Sequence, residues 1–168
     1  MFLYLLLALV VAWSIHVARI KDRTVRRVAE VGLLYILVGY CGIPMLAVSI
    51  GSLARPDRAA EILGFAAGNP FQDFVGWALL GMSVPAMLVL RYRGTFLIAP
   101  AICWAVFFAG ATAVHLNDFG EKGVLTHGSL LHVFAGHGLI SLLLVTALIA
   151  SGLLKKGAGS EEQGAEGG

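Results

Sequence analysis

Charge is scarce in this sequence. Charged residues make up 13% of the 168 residues, against roughly a quarter in an average soluble domain. Hydrophobic residues make up 58%, and the mean hydropathy is +0.85. So little polar surface cannot cover a water-soluble fold. The net charge of +2 is too small for a nucleic-acid surface, and no such partner is expected. Cysteine is scarce as well. Cys41 and Cys103 both fall inside apolar stretches, at different depths, and read as reduced packing residues rather than a disulfide or metal pair. No HxxH, HExxH or CxxC spacing occurs, nor the CxxCH of covalent haem. No serine sits in a recognisable nucleophile motif, so the sequence leans away from an enzyme.

What is present is a series of long apolar runs. Several approach or exceed the ~18–20 residues that cross a bilayer as a helix, the element that satisfies its own backbone in lipid. The expected fold is all-α: a polytopic integral membrane bundle of five transmembrane helices. They fall at about residues 1–18, 28–50, 70–90, 95–116 and 128–154, forming one domain over 1–154. The first run resembles a signal peptide in composition. However, no basic residue precedes it and no small-residue cleavage site follows, so a retained anchor is expected. The tail, 155–168, is rich in Gly and Glu and is expected to be disordered.

The few cations set the orientation. Arg19, Lys21, Arg23, Arg26, Arg27, Arg91, Arg93, Lys155 and Lys156 fall on one side of the five crossings; Arg55, Arg58 and Lys122 fall on the other. Basic residues stay inside, so the N-terminus is expected outside and the C-terminus in the cytoplasm. Helix dipoles do not account for this, because Arg26 and Arg27 start a helix where a dipole disfavours cations. In a bacterium the location would be the inner, cytoplasmic membrane, with the lipid bilayer as first partner. Other membrane subunits, or copies of the same chain, are further candidates.

Small residues mark the expected helix contacts. Gly32, Tyr35, Gly39, Gly42, Leu46 and Ser49 form a seam in the second segment, which Pro44 should bend; Ala101, Ala105, Ala109 and Ala113 form one in the fourth. The stretch from Pro56 reads as a short helix lying on the surface. Arg91-Tyr92-Arg93-Gly94 is a turn short enough to make the segments beside it antiparallel neighbours.

Polar groups gather in the outer half: Asn69, Gln72, Asp73, His115, Asn117, Asp118, His127, His132 and His137. Ionisable residues within spans are costly and mark sites by default. Asn69-Pro70-Phe71-Gln72-Asp73 has two readings. It fits a capped helix start, with Gln72 reaching back to the cap; alternatively, Gln72 and Asp73 form a hydrogen-bonding lip on a pocket. His115 is read as closing the fourth segment before a polar loop, 117–123, and stacks above Thr112, Phe108 and Trp104 at helical spacing. Those two aromatics read as core or lipid-facing rings rather than a cofactor cage. His127 is expected at the hydrated mouth. His132, on a face of small residues, is the first choice for a site, with His137 deeper. If His115 and His132 face each other, they could bind a divalent metal or the two sides of a haem iron. Otherwise each is a hydrogen-bonded interhelical histidine.

Taken together, Asn69-Pro70-Phe71-Gln72, Val75-Gly76, Gly94-Thr95-Phe96 and Gly110-Ala111 with His115 resemble an uncharacterised family of small bacterial multi-pass membrane proteins. That family carries an Asn-Pro-aromatic-Gln helix start and a Gly-Ala-x-x-x-His helix end. The resemblance covers about residues 68–116. It implies a bacterial multi-pass protein and no particular activity.

Three functions fit. One is a binding subunit whose outer pocket holds a metal, haem or quinone-like ligand through His115, His132 and His137, with Gln72 and Asp73 at its rim. A second is a small transporter or channel, disfavoured by the few polar side chains of the inner half, Ser14, His16, Ser83 and Thr146. The third is a non-catalytic scaffold or assembly protein.

Overall fold

The computed structural model describes residues 2–62, 66–68, 70–123, 131 and 133–155. Among these residues every regular element is a helix. Helix α1, Phe2–Arg19, ends where Arg23 folds back onto it. The guanidinium donates from Nη2 to the Ala18 carbonyl (2.6 Å) and from Nε to the Ile20 carbonyl (3.3 Å). A cation on the last carbonyls is the favourable end for the helix dipole.

Helix α2, Val25–Ala54, begins on Thr24, whose hydroxyl accepts from the Arg27 N–H at 3.4 Å. Arg26 and Arg27 sit at the wrong end of this dipole, but Glu30 pairs with both, at 3.2 and 3.5 Å. Midway, Leu37–Gly42 forms a π-helical turn. Pro44 explains its place. Proline has no N–H to offer the carbonyl four residues back and crowds it; a wider turn just before Pro44 absorbs both faults.

The π turn also splits the glycine seam. An extra residue in a turn moves everything beyond it by ~100° around the axis. Gly32 and Gly39 therefore seat α1: a Cβ on Gly32 would meet Trp13 at 3.5 Å, and one on Gly39 would overlap Leu9. Gly42 instead faces Met87 of the next long helix. The second half of α2 packs on that helix, and its first half packs on α1 and the last helix.

Helix α3, Pro56–Ile62, is short, exposed on most sides and buries Ala60, in keeping with a surface helix. Its Asp57 accepts from the Gly68 N–H at 2.7 Å, where Gly68 turns the chain at φ +77°. Helix α4 is Phe71–Leu88. A single 3₁₀ turn, Gly94–Leu97, leads into α5, Ile98–Lys122. Helix α6, Val133–Ser151, opens with a second π turn, Val133–Gly138.

Among the described residues four helices are long and apolar enough to cross a membrane: α2, α4, α5 with its 3₁₀ turn, and α6. Helix α1 is apolar but shorter over its described side chains, Tyr4–Arg19. Cys41 is buried and Cys103 is exposed, and both are free. The tail from residue 156 lies outside the described residues.

Two expectations are corrected. The chain does not leave its helix at His115. Asn117 donates to Glu121 one turn on, at 3.0 Å, and α5 runs to Lys122. It stops only at Gly123, which takes a left-handed φ of +68° and donates to the Phe119 carbonyl. The four-residue alanine stripe also fails as a contact. Ala101 and Ala105 are buried, whereas Ala109 and Ala113 are exposed. Steps of four drift ~40° per repeat around an α-helix, and two repeats carry the stripe off the interface.

Candidate functional site

The face that α5 does present runs Ala101, Trp104, Ala105, Phe108, Thr112 and His115, at alternating steps that hold one side of the helix. Its three rings join one ring of α6 in a column. Trp104 stacks on Phe108 (centroids 5.2 Å, planes 28° apart). Phe108 stacks on His137 (5.6 Å, 18°), and His137 stacks on His115 (5.4 Å, 5°). Trp104 and Phe108 are fully buried, while the two imidazoles are partly exposed. The column thus runs from a fully buried end to a partly exposed one.

A tyrosine braces it from the side. Tyr40 sits edge-on to Phe108 at 5.8 Å, and its hydroxyl donates to the Gly136 carbonyl at 2.8 Å. Tyr40 lies in one π turn and Gly136 in the other. The two irregular turns therefore face each other across the bundle and are tied by a buried hydrogen bond. π turns gather at functional sites. Here they let Tyr40 and His137 leave the phase of their own helices and meet the α5 rings. Below the column, Ser141 donates to the Ala105 carbonyl at 2.8 Å, fixing α6 against α5.

Removing the Tyr40 hydroxyl should be felt but survived. Interhelical bonds of this kind contribute roughly 0.6 kcal/mol on average in lipid. Tyr40→Phe is expected to lower the unfolding free energy by about 0.5–1 kcal/mol, read from equilibrium unfolding in mixed micelles. No measurable change would show that the π turns hold without the bond.

The sequence-expected residues divide. His115 and His137 come together face to face. His132 and His127, and with them the proposed His115–His132 metal or haem pair, lie outside the described residues, as does Asn69. The packed face of α6 is the one carrying Val133, Gly136, Ile140 and Leu144, with His137 at its edge. Asp73 is exposed. Gln72 is 1% exposed, on the face of α4 that carries Gly76 against Leu53 of α2. There Ser49 donates to the Gly76 carbonyl at 2.8 Å, one turn along α4 from Gln72. Both polar atoms of the Gln72 amide are buried without a hydrogen-bond partner, and so is the Ser83 hydroxyl. Gln72 therefore neither caps α4 nor bonds to either histidine.

Among the described residues no group of three His, Cys, Asp or Glu is placed to hold a metal. The near-parallel rings of His115 and His137 set their nitrogen lone pairs in parallel planes rather than on one point. That geometry suits stacking against a flat ring better than shared ligation of one ion. Tyr40 is the participant sequence reasoning missed. Its signal was Gly39-Tyr40-Cys41-Gly42 just ahead of Pro44: a hydroxyl-bearing ring between glycines where a helix must widen.

Among the described residues, an all-helical bundle with four membrane-length helices and an aromatic–imidazole column between α5 and α6 has the make-up of an integral membrane protein. The chain belongs to a family of unknown function, DUF6790, whose family model matches residues 1–156. No curated protein and no solved structure matches it.

Proposed function

We propose that this protein is a membrane-embedded binding subunit that takes a flat, quinone-like ring at the imidazole end of the column. The observation that supports it most is the parallel His115–His137 stack, continued inward by Phe108 and Trp104 and exposed only at its histidine end. A ring added there gains face-to-face contact. The ring nitrogens of His115, one donor and one acceptor when neutral, act in the plane of that ring and serve a carbonyl or hydroxyl on a substituent that reaches its edge. The reading includes five crossings, with α1 as the fifth, and the N-terminus outside. It places the chain in a bacterial cytoplasmic membrane, where further subunits or copies would meet it. Nine of the twelve basic residues on one side support that orientation. His132 would add a further imidazole, and Asp73 would stay at the rim.

The test is purification in mild detergent, followed by solvent extraction, a visible spectrum and metal analysis. A quinone-like compound is expected in the extract at near-stoichiometric amount, with no haem band and no bound metal. His115→Phe keeps a ring to stack but removes both nitrogens. It is expected to lower the bound compound at least tenfold. Undiminished binding by that variant would overturn recognition by the imidazole.

A transport reading keeps one specific support. Gln72 and Ser83, both buried and unpartnered, stand eleven residues apart on one face of α4, about 16 Å along the axis. They carry polar atoms deeper into the bundle than the histidines do.

A further inference from the structure

Away from the histidines, a groove of about 470 Å³ runs between α1, the first half of α2, and α6. Its walls are Leu6, Leu9 and Val10 of α1, Val28 and Ile36 of α2, and Leu143 of α6. It reaches from Val25 to Tyr40, about 22 Å at the helical rise. An apolar groove of that length suits an extended hydrocarbon chain.

The polar groups on the walls are already committed. Trp13 donates to the Val28 carbonyl, Tyr40 to the Gly136 carbonyl, and Thr146 to the Leu142 and Leu143 carbonyls of its own helix. Tyr35 is bonded to His16. A ligand in the groove therefore meets hydrocarbon alone, except at the basic end. There Arg23 lines the mouth. A guanidinium carries five N–H donors, and Arg23 engages one on Nε and one on Nη2 with backbone carbonyls. Arg19 and Lys21 stand near it in the chain, with one acid, Asp22, between Lys21 and Arg23. Asp22 accepts the Thr24 N–H, and Glu30 is taken up by Arg26 and Arg27.

We infer that the groove seats one acyl chain of an anionic phospholipid, its phosphate held by Arg23. The occupant follows from charge complementarity at the mouth and from walls that offer an apolar chain and nothing else. This site adjoins the ring column at Tyr40, but the inference does not rest on that column.

Trp13, at the groove wall, is the reporter. A Trp77→Phe background removes an indole exposed at 63%, while buried Trp104 supplies a constant signal. The protein is reconstituted in vesicles of phosphatidylglycerol or phosphatidylcholine carrying the same brominated chains, and Trp13 emission is compared. Quenching is expected to be at least twofold stronger with phosphatidylglycerol. Arg23→Gln is expected to erase the difference, while Arg23→Lys and Arg26→Gln keep it. Ala147→Phe, which fills the groove, is expected to lower quenching by both lipids. Equal quenching by both lipids in the unmutated groove overturns the inference, because it means ordinary contact with bulk lipid. A preference that survives Arg23→Gln overturns it as well.

Discussion

Truncating Trp104 to alanine is expected to cost about 3 kcal/mol of stability, the largest loss of any single residue in the ring column. The indole is fully buried, and removal of a buried Trp in soluble cores costs roughly 3–5 kcal/mol. The lower end applies because lipid replaces water as the alternative surroundings, so part of the transfer gain is absent and the cavity dominates. Two further losses are specific to this site. The Trp104 Nε1–H donates to the Met82 carbonyl at 3.2 Å, which ties α5 to α4. The indole is also the floor on which Phe108, and through it His137, is stacked. Trp104→Phe separates these terms. It keeps a ring under Phe108 and loses the hydrogen bond and some volume, so a cost of about 1–2 kcal/mol is expected. The measurement is equilibrium unfolding in mixed micelles, read by circular dichroism. If Trp104→Ala costs under 1 kcal/mol, the column is a row of neighbours and not a packed unit.

The helices were legible where burial in lipid alone dictates them, and hidden where a single residue changes phase. Apolar runs overlap α2, α4, α5 and the described part of α6. Their ends do not follow hydropathy. Asn117 to Lys122 are polar enough to leave lipid, yet nothing in them breaks a helix, and Gly123 is the first residue that does. The end of the apolar run marks where a span meets water, not where its hydrogen bonds stop. Side-chain direction failed for a similar reason. A π turn adds one residue to a turn, and helical spacing counted straight through Leu37–Gly42 or Val133–Gly138 puts every later residue on the wrong side. Pro44 was the visible cue in the first case; the second has no proline, only Gly136 and Gly138. The pairing of His115 with His137 depends on that hidden shift. Gln72 was misread for a different reason. Its place three residues after Asn69 suits a cap, and only the close approach of α2, with Leu53 against Gly76, shows that the side chain is enclosed instead.

That enclosure leads to the second large effect, which has the opposite sign. Gln72→Met is expected to raise stability by about 1–3 kcal/mol, the penalty for a buried polar group left without a partner. Methionine matches glutamine in length and carries no hydrogen-bonding amide, so the α2–α4 packing can be kept. Gln72 is enclosed at 1% exposure with both amide atoms unpartnered, and the Gly76 carbonyl one turn away accepts from Ser49. Ser83→Ala should act in the same direction by a smaller amount, since one hydroxyl replaces an amide. The two gains should add, because the residues are about 16 Å apart along α4. Gln72→Glu should act against both, since a carboxylate enclosed between apolar helices is costlier than an amide. A higher unfolding midpoint for Gln72→Met, together with weakened function in the same variant, would mean that the chain keeps an unpaired amide for something it must bind or pass. A lower midpoint would mean that the amide is satisfied in the membrane by water or a second copy of the chain, and the polar line from Gln72 to Ser83 would then be structural.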